Sequence, residues 1–357
     1  MLNKIKTLAE RRGFIKKILP QCKSANFKIG PTGLLLQENL KMEWFYNIVV
    51  HKDLSVFLTN EDVSETFDYA KEVSLDKLPF GIAEIRKLKT KSSLINDGIL
   101  SDKSLNFEKF CDDGDGIVLR SSIFISPTNS TQFFHQWQRQ RRTWWRKLVH
   151  DIKYDRFGNL GAPSPGRYIL TDTKSEKDDV QHCEILAKYP WDDQLVESIN
   201  FNVTDRSYNA QQLQFKEGKK LIQAQSIYVM LSREPLFQGK PRELLRLHRK
   251  LAPYKISLAI TGSSAAVVSE LSDLALYLCR QLRTNNVPTL YLPSSYKNTL
   301  EAQYNQYDEL GIPYNVVLND NTLKNGIIQL RNRDTTLKEQ VHVSDLVNYV
   351  EQLFKNY

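Results

Sequence analysis

The sequence predicts an α/β protein whose residues 248–357 form an α/β domain with a mixed five-stranded sheet, preceded by a separate region over residues 1–247. Three observations carry this. Lys255–Ile260 alternates as a strand does, with Ile256, Leu258 and Ile260 on one side. A helical stripe follows, Val267, Leu271, Leu274, Leu278 and Leu282, at steps of three and four. Next come a strand over 288–292, a helix over 299–310 and a strand over 313–318. That alternation reads as a sheet whose first strands run parallel through helical crossovers. Asn325-Gly326 marks a turn, since both residues tolerate positive φ. Beyond it, 327–333 and 339–343 form a hairpin around Asp334-Thr335-Thr336, and Ser344 caps a final helix.

The bulk properties fit this plan. At 357 residues the chain has room for about two domains. Hydrophobic content of 41% with interspersed charge is that of a globular protein. No apolar run approaches the ~18 residues of a membrane span. The formal charge of +8 suits a polyanionic partner, as it suits basic matrix proteins in general. Cys22, Cys111, Cys183 and Cys279 are scattered with no CxxC, which reads as reduced thiols without a disulfide framework or zinc site. The N-terminal MLNKIKTLAERRGFIKKIL is basic and amphipathic, as a mitochondrial presequence is.

The stretches LHRKLAPYK, YNQYDELGIPY and TLKNGIIQLRNRDTTLKEQVHVSDL carry a resemblance. The segment resembles the anticodon-binding domain of the class II glycyl-, histidyl-, prolyl- and threonyl-tRNA synthetases. It is still more similar to the accessory (beta) subunits of mitochondrial DNA polymerase gamma. The resemblance implies that residues 1–247 form an α+β core, class II synthetase-like, with an antiparallel sheet. Residues 248–357 would then be an anticodon-binding-like platform for the catalytic subunit. LAERRGFI resembles a helix inside the mature accessory subunit, which leaves only the first few residues for a targeting signal.

Taken in order, residues 26–50 hold a Gly30-Pro31 and Gly33 turn and then a helix over 35–44. The pattern GPxG…NL…W resembles the first class II signature, which lies at the subunit interface in glycyl-tRNA synthetase. Residues 61–77 read as a short polar connection. Vertebrate accessory subunits carry a dimerising helical insertion here, so this chain is expected to be a monomer when isolated. LPFGIAEI, from Leu78 to Ile85, resembles the entry to class II motif 2. Continuing that pattern puts Thr90 at the ATP-contacting arginine position and Ser92 at the glutamate position. Neither can meet a developing phosphate charge as an arginine does. QSIYVMLSREPLFQGK stands where motif 3 should fall; it keeps Arg233 but lacks the glycine frame. Aminoacylation is therefore not expected.

Residues 132–148, QFFHQWQRQRRTWWRKL, are the most suggestive for nucleic acid. At ~100° per residue Phe133, Phe134, Trp137, Trp144, Trp145 and Leu148 share one helical face, with Arg139, Arg142 and Arg146 opposite. The three arginines are either a ridge for phosphates or the solvated face of a core helix. Arg141 falls among the aromatics, so its guanidinium is expected to stack or to pair with a carboxylate.

The remaining candidates are weaker. Residues 151–225 mix turns, charge and strand-like runs, with TDTKSEKDD a polar surface segment. Asp112, Asp113 and Asp115 lack the spacing and closing glutamate of an EF-hand. His182-Cys183 has no nearby ligand partner, and no metal or cofactor is expected. Residues 241–253, PRELLRLHRKLAP, read as the helix and link between the domains. Asn325, Gly326, Arg331 and Arg333 are the candidates for the catalytic-subunit surface; their plainer reading is turn chemistry and solvated charge.

The expectation is a non-catalytic processivity subunit of the mitochondrial replicative polymerase. It would sit in the matrix nucleoid, bound one-to-one to the catalytic subunit and holding primer–template DNA. The alternative is a stand-alone tRNA- or RNA-binding protein derived from a synthetase.

Overall fold

The computed structural model describes residues 2–17, 27–61, 63–87, 117–148, 168–174, 180–188, 193–202, 220–224, 231–234, 242–293 and 295–355. The chain begins with α1 (Leu2–Arg11), an antiparallel pair of β1 (Ile15–Lys17) and β2 (Phe27–Ile29), and α2 (Pro31–Phe45). A π-helical turn over Tyr46–Val50 extends α2 beyond the expected end at residue 44. Then come β3 (Ser55–Thr59), α3 (Val63–Val73), β4 (Phe80–Lys87), β5 (Ile117–Phe124) and α4 (Ser130–Lys147). Strands β6 (Tyr168–Lys174), β7 (Val180–Lys188), β8 (Asp193–Asn202), β9 (Lys220–Ala224), β10 (Leu231–Glu234) and β11 (Arg242–Leu245) follow. The last part comprises β12 (Ile256–Ile260), α5 (Ala265–Thr284), β13 (Thr289–Leu290), α6 (Leu300–Glu309) and β14 (Tyr314–Leu318). It closes with α7 (Asp320–Asn325), β15 (Ile327–Asn332), β16 (Lys338–His342) and α8 (Leu346–Lys355).

These elements form two compact units, one of residues 1–14, 31–39 and 228–357, the other of residues 15–30 and 40–227. The second is built on a seven-stranded sheet in the order β3-β4-β5-β9-β8-β7-β6. Every neighbouring pair is antiparallel except β3 with β4. The polar connection expected over 61–77 is instead the helix α3. Its Val63, Phe67 and Ala70, at steps of four and three, are buried against Phe80, Ile82 and Phe124. The Phe67 and Phe124 ring centroids lie 4.8 Å apart. Three apolar residues suffice because the helix meets the sheet along a narrow stripe, and each buried Phe contributes ~1.5–3 kcal/mol. Within TDTKSEKDD, Thr171–Lys174 end β6, paired to β7.

In the first unit the sheet order is β13-β12-β14-β15-β16, five strands, with β13, β12 and β14 parallel and β15 and β16 antiparallel, as expected. Ile256, Leu258 and Ile260 of β12 join the core that α5 covers, and Ala259 faces the α6 cluster. The stripe of α5 is buried at Leu271, Leu278 and Leu282, with Ala275 and Cys279 between. Ser264 caps α5 and Thr299 caps α6, each accepting from a backbone N–H three residues on. Inside α6, Tyr307 donates to the Leu258 carbonyl at 2.8 Å, and Gln303 bonds both the N–H and the carbonyl of Ile260. The expected strand over 288–292 shrinks to two residues, because only Thr289 and Leu290 reach β12.

Three further expectations change here. Where a helix and link were expected over 241–253, Arg242–Leu245 form the strand β11, antiparallel to β10. Leu244, Leu245 and Leu247 are all buried, which a one-sided helical stripe would not require. Asn325-Gly326 ends a short helix, with Gly326 at φ +69° as its C-cap. Ser344 is not the cap of the last helix: His342 Nδ1 accepts from the Ser344 N–H at 3.3 Å, and a 3₁₀ turn over Val343–Asp345 leads into α8.

Two local devices explain the motif LHRKLAPYK. The Lys255 ammonium donates to the carbonyls of Arg249, Lys250 and Ala252 at 2.7, 2.6 and 3.0 Å, closing the turn on itself. Asn39 Nδ2 donates to the Leu251 and Ala252 carbonyls. Helix α1 belongs to the same unit. Leu8, Ala9 and Phe14 are buried, and Arg11 and Arg12 share Glu309 at 2.8 and 2.7 Å.

Candidate nucleic-acid and partner surfaces

Helix α4 has the two faces its spacing predicts. Phe134, Trp137, Trp144, Trp145 and Leu148 are buried, while Phe133 is half-buried. Arg139 and Arg146 are exposed and Arg142 is half-buried. Among the described residues their guanidinium groups enter no ion pair. The ridge thus presents three cations at steps of three and four on one helical face.

Arg141 anchors the buried side. Its Nε and Nη2 donate to the two oxygens of Glu197, on β8, at 2.7 and 3.0 Å, and both side chains are fully buried. Nη1 donates to Asn47 Oδ1 at 2.5 Å, and the guanidinium lies 4.3 Å from the Trp144 ring centroid. Trp145 Nε1 donates to the same Glu197 carboxylate at 2.6 Å. Sequence reasoning anticipated the stacking and a carboxylate partner but could not name Glu197.

Lys52 completes the edge of this cluster. Its ammonium lies 4.3 Å over the Trp137 ring and donates to Gln140 Oε1 at 2.8 Å. Burial, reinforced by the Arg141 charge, lowers its pKa from 10.5 to about 8.

The C-terminal candidates divide. Asn325 is exposed, its side chain accepting from the Ile327 N–H at 3.0 Å, and Gly326 is half-buried beneath His342. Arg331 and Arg333 are not presented as expected: they are only 4% and 1% exposed. Arg331 makes a two-pronged pair with buried Asp308, both contacts 2.9 Å, and stacks 4.4 Å from the Tyr304 ring centroid. Burial raises the Tyr304 hydroxyl to about 12, against the opposing pull of Arg331. Arg333 donates to the Gly311 and Leu247 carbonyls at 2.7 and 3.0 Å and to Asp334. Both therefore hold the hairpin to its own unit, and the sequence missed this because a strand arginine and a surface arginine look alike. Thr90 and Ser92 lie outside the described residues, as do Asp112, Asp113 and Asp115. Among the described residues no cluster of His, Cys, Asp and Glu could hold a metal ion, and no helix is long and apolar enough to cross a membrane.

The comparisons with known proteins agree with this architecture. A family model described as the anticodon binding domain matches residues 258–353. The chain is 27% identical over 251 residues to the mitochondrial DNA polymerase subunit gamma-2 of Drosophila melanogaster, covering 68% of each chain. It is 26% identical over 363 residues to the Xenopus laevis subunit of that name, covering 94% of this chain and 68% of the relative. It is also 24% identical over 374 residues to a glycine–tRNA ligase of Borreliella burgdorferi, covering 96% of this chain and 76% of the relative. The resemblance thus takes in a class of synthetase-related chains with an anticodon-binding domain at the C-terminal end. Within that class, the relatives named mitochondrial DNA polymerase subunit gamma-2 support a mitochondrial location.

Proposed function

We propose that this chain is the non-catalytic processivity subunit of the mitochondrial replicative DNA polymerase. It binds the polymerase catalytic subunit one-to-one, is a monomer alone, and strengthens the grip of the complex on primer–template DNA in the matrix nucleoid. The observation that carries this is the shared similarity to subunits named gamma-2, joined to the ridge of Arg139, Arg142 and Arg146, which enters no ion pair among the described residues. A second basic surface tethered beside a polymerase active site raises the local density of phosphate contacts and slows release. Residues 1–247 act as a degenerate synthetase-like core that forms no aminoacyl-adenylate, and residues 248–357 as the platform for the catalytic subunit. On that platform the exposed Asn325 and the adjoining Gly326 are contact candidates, whereas Arg331 and Arg333 keep the hairpin in shape.

Size-exclusion chromatography with light scattering tests the assembly. A mixture with the catalytic subunit should elute as a one-to-one complex, and this chain alone as a monomer. Absence of a complex would discard the reading.

The match of residues 258–353 to an anticodon binding domain favours one other reading, a stand-alone tRNA- or RNA-binding protein. Binding of tRNA without any association with the polymerase would select it.

A further inference from the structure

The seven-stranded sheet carries a buried charged cluster that the polymerase reading does not use. Glu84 on β4 stands directly opposite Arg120 on β5. Side-chain alternation puts Arg86 and Ser122 on the same face. Glu84 is fully buried, Arg120 is 5% exposed and Ser122 0%. Arg86 Nε contacts Glu84 Oε1 closely, and Arg120 Nη1 lies 3.4 Å from Glu84 Oε2. One carboxylate therefore sits between two guanidiniums, with Arg86, 20% exposed, at the rim.

Arg120 spends only Nη1 on Glu84. Among the described residues, its Nε and Nη2 and the Ser122 hydroxyl have no hydrogen-bond partner. Nε and Nη2 lie along one edge of a guanidinium, and their two N–H bonds form a fork that matches a pair of oxygens on a single anion. The same chain shows what that edge does when filled: Nε and Nη2 of Arg141 hold both oxygens of Glu197 at 2.7 and 3.0 Å. Donors buried this deeply are costly to leave without an acceptor. A hydroxyl two residues along the same strand face supplies a further donor.

We infer that Arg120 and Ser122 form a binding site for a small oxyanion, a carboxylate or phosphate group seated on the Nε–Nη2 edge of Arg120 with Arg86 at its entrance. Glu84 orients the arginine from the other side without using that edge. The site lies apart from the α4 ridge and does not depend on the polymerase reading. An anion held there ties β4 to β5 and stabilises the second unit by mass action.

Thermal unfolding of the full chain tests this, with inorganic phosphate, formate or ATP titrated at constant ionic strength against chloride. A saturable rise in Tm with phosphate is expected. Formate acting equally assigns the site to carboxylates, and ATP acting more strongly than phosphate assigns it to a nucleotide phosphate. Arg120→Met should abolish the saturable response. Because that change also strips a partner from Glu84, Ser122→Ala serves as the milder variant, with affinity expected to fall about five-fold, the loss of one hydrogen bond. No saturable response of the native chain to any of the three anions would overturn the inference. So would native affinity in Ser122→Ala.

Discussion

Arg141 and Glu197 form a two-pronged ion pair at 2.7 and 3.0 Å, fully buried, between α4 and β8. Every oxygen of the carboxylate is engaged, since Trp145 Nε1 also donates to Oε2. A pair this deep is weak evidence for net stability, but breaking it from one side leaves a charge stranded. Glu197→Ala should therefore cost ~3–5 kcal/mol in urea unfolding. The double variant Arg141→Met/Glu197→Leu should cost less than Glu197→Ala alone. A single-variant loss under ~1 kcal/mol, as for an exposed pair, would contradict the assignment.

Lys52 gives a pH signature. Its folded pKa of about 8 lies below the ordinary 10.5, so between those values the unfolded chain binds more protons than the folded one. Stability from this group therefore rises with pH across that window and is flat below it. The urea midpoint of the native chain, minus that of Lys52→Met, should climb between pH 8 and 10.5. A difference that stays level or falls would refute the burial of this amine.

The α4 ridge predicts a salt effect. Replacing Arg139, Arg142 and Arg146 with alanine should leave Tm within about 2 °C, since they enter no ion pair among the described residues. It should lower the slope of log binding constant against log salt by about 2.7, roughly 0.9 per lost phosphate contact on duplex DNA. An unchanged slope would return the ridge to an ordinary solvated helix face.

In the C-terminal unit, stability and partner binding should separate. Arg331→Met strands Asp308, which is fully buried, and should destabilise the protein by ~3 kcal/mol or more in denaturant titration. Gly326→Ala forces an alanine to φ +69° with its Cβ 2.5 Å from His342 Nε2, and should cost about 1 kcal/mol. Asn325→Ala should weaken catalytic-subunit binding more than it lowers Tm. If Arg331→Met instead folds normally and loses only partner binding, its internal role is wrong.

Periodicity made some of this legible and left the rest hidden. The α5 stripe could be read directly because that helix buries one face, and β12, buried on both faces, still alternates because Ser257 and Ala259 are small beside Ile256, Leu258 and Ile260. Helix α3 escaped because Val63, Phe67 and Ala70 are its only buried apolar residues, set among carboxylates and lysine. Strand β11 escaped because Leu244 and Leu245, adjacent and both buried, fit neither period. Glu197 lies 56 residues beyond Arg141, and no local pattern ties the two. The same limit hid the pairing of Arg331 with Asp308, 23 residues away, and of Arg120 with Glu84.

The most direct test is primer extension by the polymerase gamma catalytic subunit on a long template, with and without this chain, across a salt series and with an excess of trap DNA. The account predicts longer products per binding event when the chain is present, with the gain largest at raised salt, where phosphate contacts are weakest. Equal product lengths at every salt concentration, with the two proteins shown to be folded, would contradict it.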